Sequence, residues 1–499
     1  MGIVIRQSAK TLFVTYLGFL IGYVNTLILY PLALSVEQIG LQRILIDATV
    51  FFASFAALGA TNIPLRYFPY FRDPEKEHNG FLFFLLTLSF CGYIIFVILF
   101  LLLKNSLISV YSSNALQLTK YYYYLIPFTL IQLMMIIFEV YTLVQLKPVV
   151  PRFIREIVIR VLLALGVLGV LYKVITFNTF VDLIPVIYLL AFILLVFYVY
   201  SIRALFLRPN FGVFKSPQFK GILVFGGFVL LGNSSDIIIR NIDSLMLSSY
   251  SGLRSTGIYT IALYIALVLE IPRRSMAQVV IPLVAEATKN GDVKKIDELY
   301  KKSSLNQMII GGLLFLVIWC NIDNIFKFIP NGNTFAIGKW VVFYLGLSKV
   351  FDMAMGVNAE IVTTSKYYKY DIFFYAGLSL MAIGTNMLLI PVLGLTGASI
   401  ATAISIFVFN SVRFVFIWYI YKIQPFTKDT LKVLAIAGFM LLFNYMLPHM
   451  PGHFVWDVAV RGFLITVIFS ILILFFRASE DINSTLARVL KRYLEKVRR

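Results

Sequence analysis

Groups that support redox and acid–base chemistry are scarce in this chain. Two cysteines and three histidines occur among its 499 residues. Cys91 and Cys320 lie inside apolar runs, which excludes a disulfide framework and a CxxC metal site. His78, His449 and His453 fall between such runs, and no Ser/His/Asp, HExxH or P-loop pattern accompanies them. We therefore expect a protein that is not an enzyme and that needs no metal or cofactor.

Charged residues are also few, at 13% of the chain, whereas 60% is hydrophobic and the mean hydropathy is +0.88. A water-soluble fold could not bury so much apolar surface, but lipid is an apolar solvent. About fourteen runs of roughly twenty residues are each long enough to cross a hydrocarbon core at about 1.5 Å per residue. The predicted spans are residues 11–30, 44–65, 80–103, 121–144, 156–172, 181–202, 221–247, 256–271, 304–322, 340–362, 371–390, 395–421, 431–447 and 456–476.

Lysine and arginine alternate between the gaps that separate these spans. With the N-terminus inside, 31 of the 43 basic residues fall in cytoplasmic gaps and 6 in external ones, and the other 6 lie within or at the edges of spans. The positive-inside effect then places both termini in the cytoplasm. It also accounts for the net charge of +19, so we expect no nucleic-acid partner.

The chain divides at a basic, proline-containing linker, Arg203–Lys220. Leu34–Gly40, between spans one and two, resembles Ser251–Gly257, between spans seven and eight. Equal numbers of spans and this echo predict two related bundles around a central pathway. We expect an all-α polytopic membrane protein with two pseudo-symmetric six-helix lobes plus two C-terminal helices. The lobes would be residues 1–212 and 213–425, and residues 426–499 would hold spans thirteen and fourteen and a basic amphipathic tail.

Two basic segments, residues 293–302 and 486–499, have helical amphipathic patterns. Such helices lie in the headgroup region of a membrane, so anionic lipids are expected partners. A docking site for a cytoplasmic partner enzyme is the alternative.

Some ionisable residues fall inside the predicted spans, where a charge costs about 2.5–3.5 kcal/mol on insertion scales. Asp236, Arg240 and Asp243 in span seven are spaced to share one helical face. They predict a hydrated cavity that handles an ionic headgroup or a coupling ion. The alternative is an ion pair closed within one helix. Arg461 and Asp457, at the start of span fourteen, are expected to form an interfacial pair.

Three further positions leave two interpretations open. Lys349 and Asp352 in span ten form either a self-satisfied pair or a cavity site. Arg43, four residues before Asp47, either snorkels to the external surface or has a function. Arg413 has no carboxylate within four residues, so it either snorkels or faces a lumen as a phosphate ligand.

The passage Asn386–Thr402 reads N-M-L-L-I-P-V-L-G-L-T-G-A-S-I-A-T. It resembles the N-x-x-L-I-P-x-x-G-x-x-G-A-A-x-A-T passage of polysaccharide-biosynthesis flippases. These are Wzx-type members of the multidrug/oligosaccharidyl-lipid/polysaccharide (MOP) exporter superfamily. Ser399 replaces the commoner second alanine. The resemblance extends over nearly the whole chain through its two six-span lobes, its basic loops after spans two and eight, and its two added spans.

This resemblance implies a flippase that moves a polyprenyl-pyrophosphate-linked oligosaccharide across the bacterial inner membrane by alternating access. The product would serve O-antigen, capsule or exopolysaccharide synthesis, with a polysaccharide polymerase and glycosyltransferases as partner proteins. Related flippases have a cationic cavity, whereas the basic residues here are balanced by carboxylates that leave room for coupling to protons or Na⁺. The substrate-binding candidates are Arg43, Arg240, Lys349 and Arg413, and the ion-coupling candidates are Asp236, Asp243 and Asp352.

Three rival functions remain open from the sequence. A MurJ-type lipid II flippase shares the fourteen-span plan. A cation-coupled drug exporter of the same superfamily fits the balanced charges, although that branch usually has twelve spans. A polysaccharide polymerase or glycosyltransferase would normally carry a large external loop or a cytoplasmic catalytic domain, and this chain shows neither pattern.

Overall fold

A computed structural model describes residues 2–112, 115–447, 454–481 and 483–484. Within these ranges the chain is all-helical and contains no strand, which confirms the predicted fold class. The helices up to the linker are α1 (Gly2–Val24), α2 (Tyr30–Ala33), α3 (Val36–Ala56), α4 (Ile63–Phe71), α5 (Phe81–Leu102), α6 (Lys104–Ser112), α7 (Leu116–Lys120), α8 (Leu125–Val144), α9 (Val149–Phe153), α10 (Ile159–Leu171) and α11 (Phe177–Ser201).

The helices after the linker are α12 (Phe219–Leu267), α13 (Glu270–Lys289), α14 (Val293–Cys320), α15 (Ile322–Phe328), α16 (Gly332–Phe335), α17 (Lys339–Ala354), α18 (Asn358–Thr364), α19 (Tyr368–Tyr421), α20 (Lys428–Met446) and α21 (Phe454–Phe475). Short 3₁₀ segments occupy Glu77–Gly80 and Ala336–Gly338, and π-helical segments occupy Asn25–Leu29 and Ile154–Val158. Pro31 follows the first π segment, where its missing N–H and its ring prevent a regular helix.

Ten helices of the described residues are long and apolar enough to span a membrane, or 11 if one bent pair counts as a single span. The chain is therefore a multi-pass membrane protein. Helix α19 has 54 residues, or about 80 Å of helix, whereas a hydrocarbon core is about 30 Å thick. Its backbone turns at Gly394, where a φ of 57° and a ψ of −132° favour glycine. Such a helix can supply two spans, and the count of fourteen stays a prediction.

Contacts divide the chain into two compact units, residues 1–261 and 262–499. The predicted lobe boundaries at 212 and 425 are not tested by this division. In the first unit, a buried apolar cluster joins α3 to the segments around Phe100, Tyr122 and Val181. In the second unit, one cluster joins α14 to α20 and α21, and another joins α13, α14, α18 and α19.

The echo between residues 34–40 and 251–257 corresponds to a contact within the first unit. A Cβ added to Gly40 would lie 2.0 Å from the Leu253 carbonyl oxygen, and one added to Gly257 would lie 2.0 Å from that of Val36. Leu253 follows Val36 by 217 residues, and Gly257 follows Gly40 by the same number. The same offset separates Glu37 from Arg254, whose side chains are joined by a hydrogen bond of 3.3 Å. Each segment thus contacts the other at equivalent positions, as a two-fold-related duplication requires.

One of the two amphipathic segments differs from its prediction. Residues 293–302 are the first part of the continuous helix α14, and Ile296 and Tyr300 are buried against apolar residues of α13 and α18. The apolar face of this segment is therefore covered by the protein, through contacts with α13 and α18. The second segment, residues 486–499, lies outside the described residues.

Candidate functional site

Helix α3 brings the first pair of candidate residues together. Arg43 Nε donates to Asp47 Oδ2 at 2.6 Å, one helical turn away. Asp47 is buried, and the Arg43 side chain is 22% exposed. Arg43 and Asp47 therefore form an ion pair within one helix, which balances the charge of Asp47 inside the unit. The choice between snorkelling and a function for Arg43 stays open.

The polar face of α12 is the second place where candidates gather. Asp243 is buried, and its Oδ2 accepts a hydrogen bond of 2.8 Å from the hydroxyl of buried Tyr259. Tyr259 comes after the turn at Gly252, on the part of α12 predicted as span eight. Arg240 is exposed on the same helix. The structure does not describe the side chain of Asp236.

In the second unit, Lys349 and Asp352 do not pair with each other. Lys349 Nζ donates to Glu270 Oε1 at the start of α13, and Arg274 donates to Glu270 Oε2 at 2.7 Å. Asp352 Oδ2 lies 2.9 Å from Arg273 Nε. The self-satisfied pair is therefore wrong, because α13 presents oppositely charged partners to both residues.

Two asparagines extend this set of contacts across the second unit. Asn410 Nδ2 donates to Asp352 Oδ1 at 3.0 Å, and Asn358 Nδ2 donates to Asn410 Oδ1 at 2.9 Å. Asn358 and Asn410 are almost fully buried. The chain of bonds therefore links Arg273 on α13, through α17 and α19, to α18.

Arg413 is 2% exposed and is not a snorkelling residue at the protein surface. Its Nη2 donates to Asp371 at the start of α19, and its guanidinium lies 4.2 Å from the Phe409 ring centroid and 5.4 Å from that of Tyr375. These contacts offset the cost of burying the charge through an ion pair and cation–π attraction. Arg413 Nε is buried and makes no hydrogen bond.

These residues form what we call the α13–α19 charge network. It contains four basic and four acidic side chains, namely Arg273, Arg274, Lys349, Arg413, Glu270, Asp352, Glu360 and Asp371. The set is formally neutral. Glu360 Oε2 is buried without a hydrogen bond, like Arg413 Nε. Arg273 Nε also makes no hydrogen bond, although it lies 2.9 Å from Asp352 Oδ2. Such unsatisfied buried atoms are the groups that a cation, a proton or an anionic group would engage.

Sequence reasoning missed Glu270, Arg273, Asp371 and Asn410. Glu270 and Asp371 stand at the edges of predicted spans eight and eleven, and Arg273 was counted among the cytoplasmic basic residues. Acidic residues at span edges were the signal that could have indicated them. Helical spacing could have indicated only the pair of Arg274 with Glu270, which are four residues apart. The charged partners of Lys349, Asp352 and Arg413 lie 42 or more residues away along the chain.

Described residues of the two units contain no group of three or more His, Cys, Asp or Glu side chains placed to hold a metal ion. The polar contacts of the candidate residues are instead ion pairs and hydrogen bonds between side chains.

No known protein-family profile matches this chain. An uncharacterized membrane protein of Methanocaldococcus jannaschii is 23% identical over 321 residues, which are 60% of this chain and 61% of that protein. The chain therefore spans less than two thirds of this relative.

Solved structures match over more of the chain. The lipid II flippase MurJ in an inward closed conformation gives a TM-score of 0.73 at 16% identity, covering 95% of this chain and 99% of MurJ. An inward-facing multidrug-resistance MATE transporter gives 0.58 at 17% identity, covering 84% and 98%. A MOP-superfamily transporter from Pyrococcus furiosus gives 0.56 at 15% identity, covering 84% and 95%. The chain accordingly has the fold of the MurJ and MATE transporters of the MOP superfamily.

Proposed function

We propose that this protein is a flippase that moves a polyprenyl-pyrophosphate-linked oligosaccharide across a prokaryotic cell membrane by alternating access. The supporting observation is the extent of the MurJ match, which covers 95% of the chain against 84% for the MATE match. The part of the chain that ends with α19, residues 1–421, makes up 84% of the 499 residues, which equals the coverage of the MATE match. The additional coverage by MurJ is thus of the size of the C-terminal helices α20 and α21, which favours a lipid-linked cargo over a soluble drug.

The cargo we favour is a repeat unit of a surface polysaccharide, as the Asn386–Thr402 passage implies. In the proposal, Arg240, Lys349 and Arg413 engage the pyrophosphate. Lys349 and Arg413 already hold carboxylates, so an anionic cargo would exchange with Glu270 and Asp371 as the partner of these side chains. Asp243 and Asp352 then accept a proton or Na⁺ or orient their basic neighbours.

A deletion strain of the native host separates the candidate functions. We expect loss of surface polysaccharide with intact cells. Lysis on depletion would instead support a lipid II flippase, which is the second candidate because the structural match is to MurJ. Unchanged polysaccharide with increased drug sensitivity would contradict both candidates and favour an exporter.

Arg240→Ala tests the role of one cationic side chain. We expect this variant to abolish surface polysaccharide while its abundance in the membrane is unchanged, because Arg240 is exposed and its removal leaves no core cavity. Arg208→Ala is the matched control, since Arg208 lies in the linker and its side chain is 87% exposed. Normal polysaccharide in the Arg240 variant would count against the pyrophosphate role.

A further inference from the structure

A polar pocket of about 530 Å³ opens in the first unit, apart from the residues assigned to the pyrophosphate. It lies between the N-terminus of α3, the end of α7 and the N-terminus of α11. Its lining includes Glu37, Gln38, Gln117, Tyr121, Phe177 and Asn178. All three segments belong to gaps, or to edges of gaps, that the charge pattern places outside the cell.

The lining combines the two kinds of group that a sugar requires. A carboxylate and three amides supply acceptors and donors for hydroxyl groups. The rings of Tyr121 and Phe177 supply flat apolar surface, against which the C–H face of a sugar ring can pack. The volume is within the range of about 300–1,000 Å³ that small-molecule sites have.

Local hydrogen bonds hold two walls of the pocket. Ser35 and Gln38 form a capping box at the start of α3, with bonds of 2.9 and 3.3 Å. Thr176 caps α11 by accepting from the Thr179 N–H at 3.2 Å. These caps fix Gln38 and Asn178 on helix ends, so little ordering is needed when a ligand enters.

Glu37 has a second contact at the edge of this pocket. Its Oε1 accepts from Arg254 at 3.3 Å, and Arg254 is not part of the lining. Both side chains remain partly exposed, so this ion pair is weak and leaves the carboxylate able to accept from another donor. The pair also supplies a matched control, because Arg254 can be changed without altering the lining.

We propose that this pocket is an external subsite for the saccharide portion of the cargo. The inference rests on the proposed function for the identity of the cargo, but binding of the sugar alone can be measured without transport. The Glu37 carboxylate and the amides of Gln38 and Asn178 bind hydroxyl groups, and Tyr121 and Phe177 contact the ring face. The subsite would hold the sugar after it has crossed the membrane.

The test is saturation-transfer NMR on the purified full chain with soluble maltose, lactose and N,N′-diacetylchitobiose. We expect transfer to at least one disaccharide, reduced at least fivefold by Asn178→Ala and by Glu37→Gln. Asn105→Ala changes an exposed asparagine of α6 outside the pocket, and Arg254→Gln breaks the ion pair while leaving the lining intact. Both controls should bind as the unmodified protein does.

Absence of transfer to every sugar, or equal transfer in pocket and control variants, would overturn the subsite. Transport of a lipid-linked saccharide is measured separately in proteoliposomes. Transport without sugar binding refutes only the subsite, whereas binding without transport refutes the proposed function.

Discussion

Arg413 shows how a charge is accommodated inside this membrane protein. The residue is 2% exposed, yet it has Asp371 as an ionic partner and the Phe409 ring 4.2 Å from its guanidinium. Burying either charge alone would cost several kcal/mol, and the pair repays part of that cost. A buried ion pair therefore adds little to the free energy of unfolding. Removing one of its members, however, leaves the other as an unpaired buried charge.

We therefore predict that Arg413→Ala lowers the free energy of unfolding by about 3–5 kcal/mol, because Asp371 is left as an unpaired buried carboxylate. The measurement is the thermal unfolding midpoint of the purified protein in detergent. The double variant Arg413→Met, Asp371→Leu should recover most of the loss, since it removes both charges and keeps the volume. A single variant as stable as the unmodified protein would contradict the pairing.

At the scale of elements, a close approach in the first unit joins the start of α3 to the segment after Gly252. Gly40 and Gly257 permit it, because each lies against a carbonyl oxygen of the other segment at an equivalent position. A side chain at either glycine would meet backbone, which cannot rotate away as a flexible side chain can. The echo that the sequence shows is thus a requirement of packing at this crossing.

We predict that Gly40→Ala and Gly257→Ala destabilise the protein by similar amounts, about 1–3 kcal/mol each, because each methyl group forces the two segments apart. Thermal unfolding of the purified variants would measure this effect. Gly384→Ala is the matched control in a helix, since nothing lies within 4 Å of its added Cβ. It should be neutral or slightly stabilising because alanine favours helix. Unequal effects at the two crossing glycines would contradict the symmetric contact.

At the scale of the whole molecule, the charge pattern predicts which gaps lie on which side of the membrane. The bias of 31 basic residues to 6 is large enough to set the orientation. A helix longer than one span, such as α19 with its turn at Gly394, can supply two crossings. The orientation and the number of crossings therefore have to be measured together.

Reporter fusions test this topology. We predict cytoplasmic activity for fusions after residue 212 and at the C-terminus, and external activity for fusions within 104–120 and 327–339, because basic residues are retained inside. Alkaline phosphatase and green fluorescent protein fusions report the two sides. With the N-terminus in the cytoplasm, an even number of spans returns the C-terminus to the same side, so an external C-terminus would contradict the predicted fourteen spans.

Much of the fold could be predicted from the sequence. Inside lipid the backbone must satisfy its own hydrogen bonds, and a continuous apolar run of about twenty residues does so as a helix, so such runs indicate the fold class. The pairing of Arg43 with Asp47 was also accessible, because partners four apart on one helix are fixed by helical geometry. The pairings of Lys349 with Glu270 and of Arg413 with Asp371 were not, since 79 and 42 residues separate the partners.

The sequence by itself determined that this protein is helical, crosses the membrane repeatedly and repeats a segment at an offset of 217 residues. The lengths of the apolar runs, the basic residues between them and the internal similarity are properties of the order of residues, so they can be recognised without the folded structure. Only the tertiary structure decided which charges far apart in the chain meet, because packing brings such residues within bonding distance. The tertiary structure also decided that residues 293–302 pack against α13 and α18, since their burial depends on which helices lie beside α14.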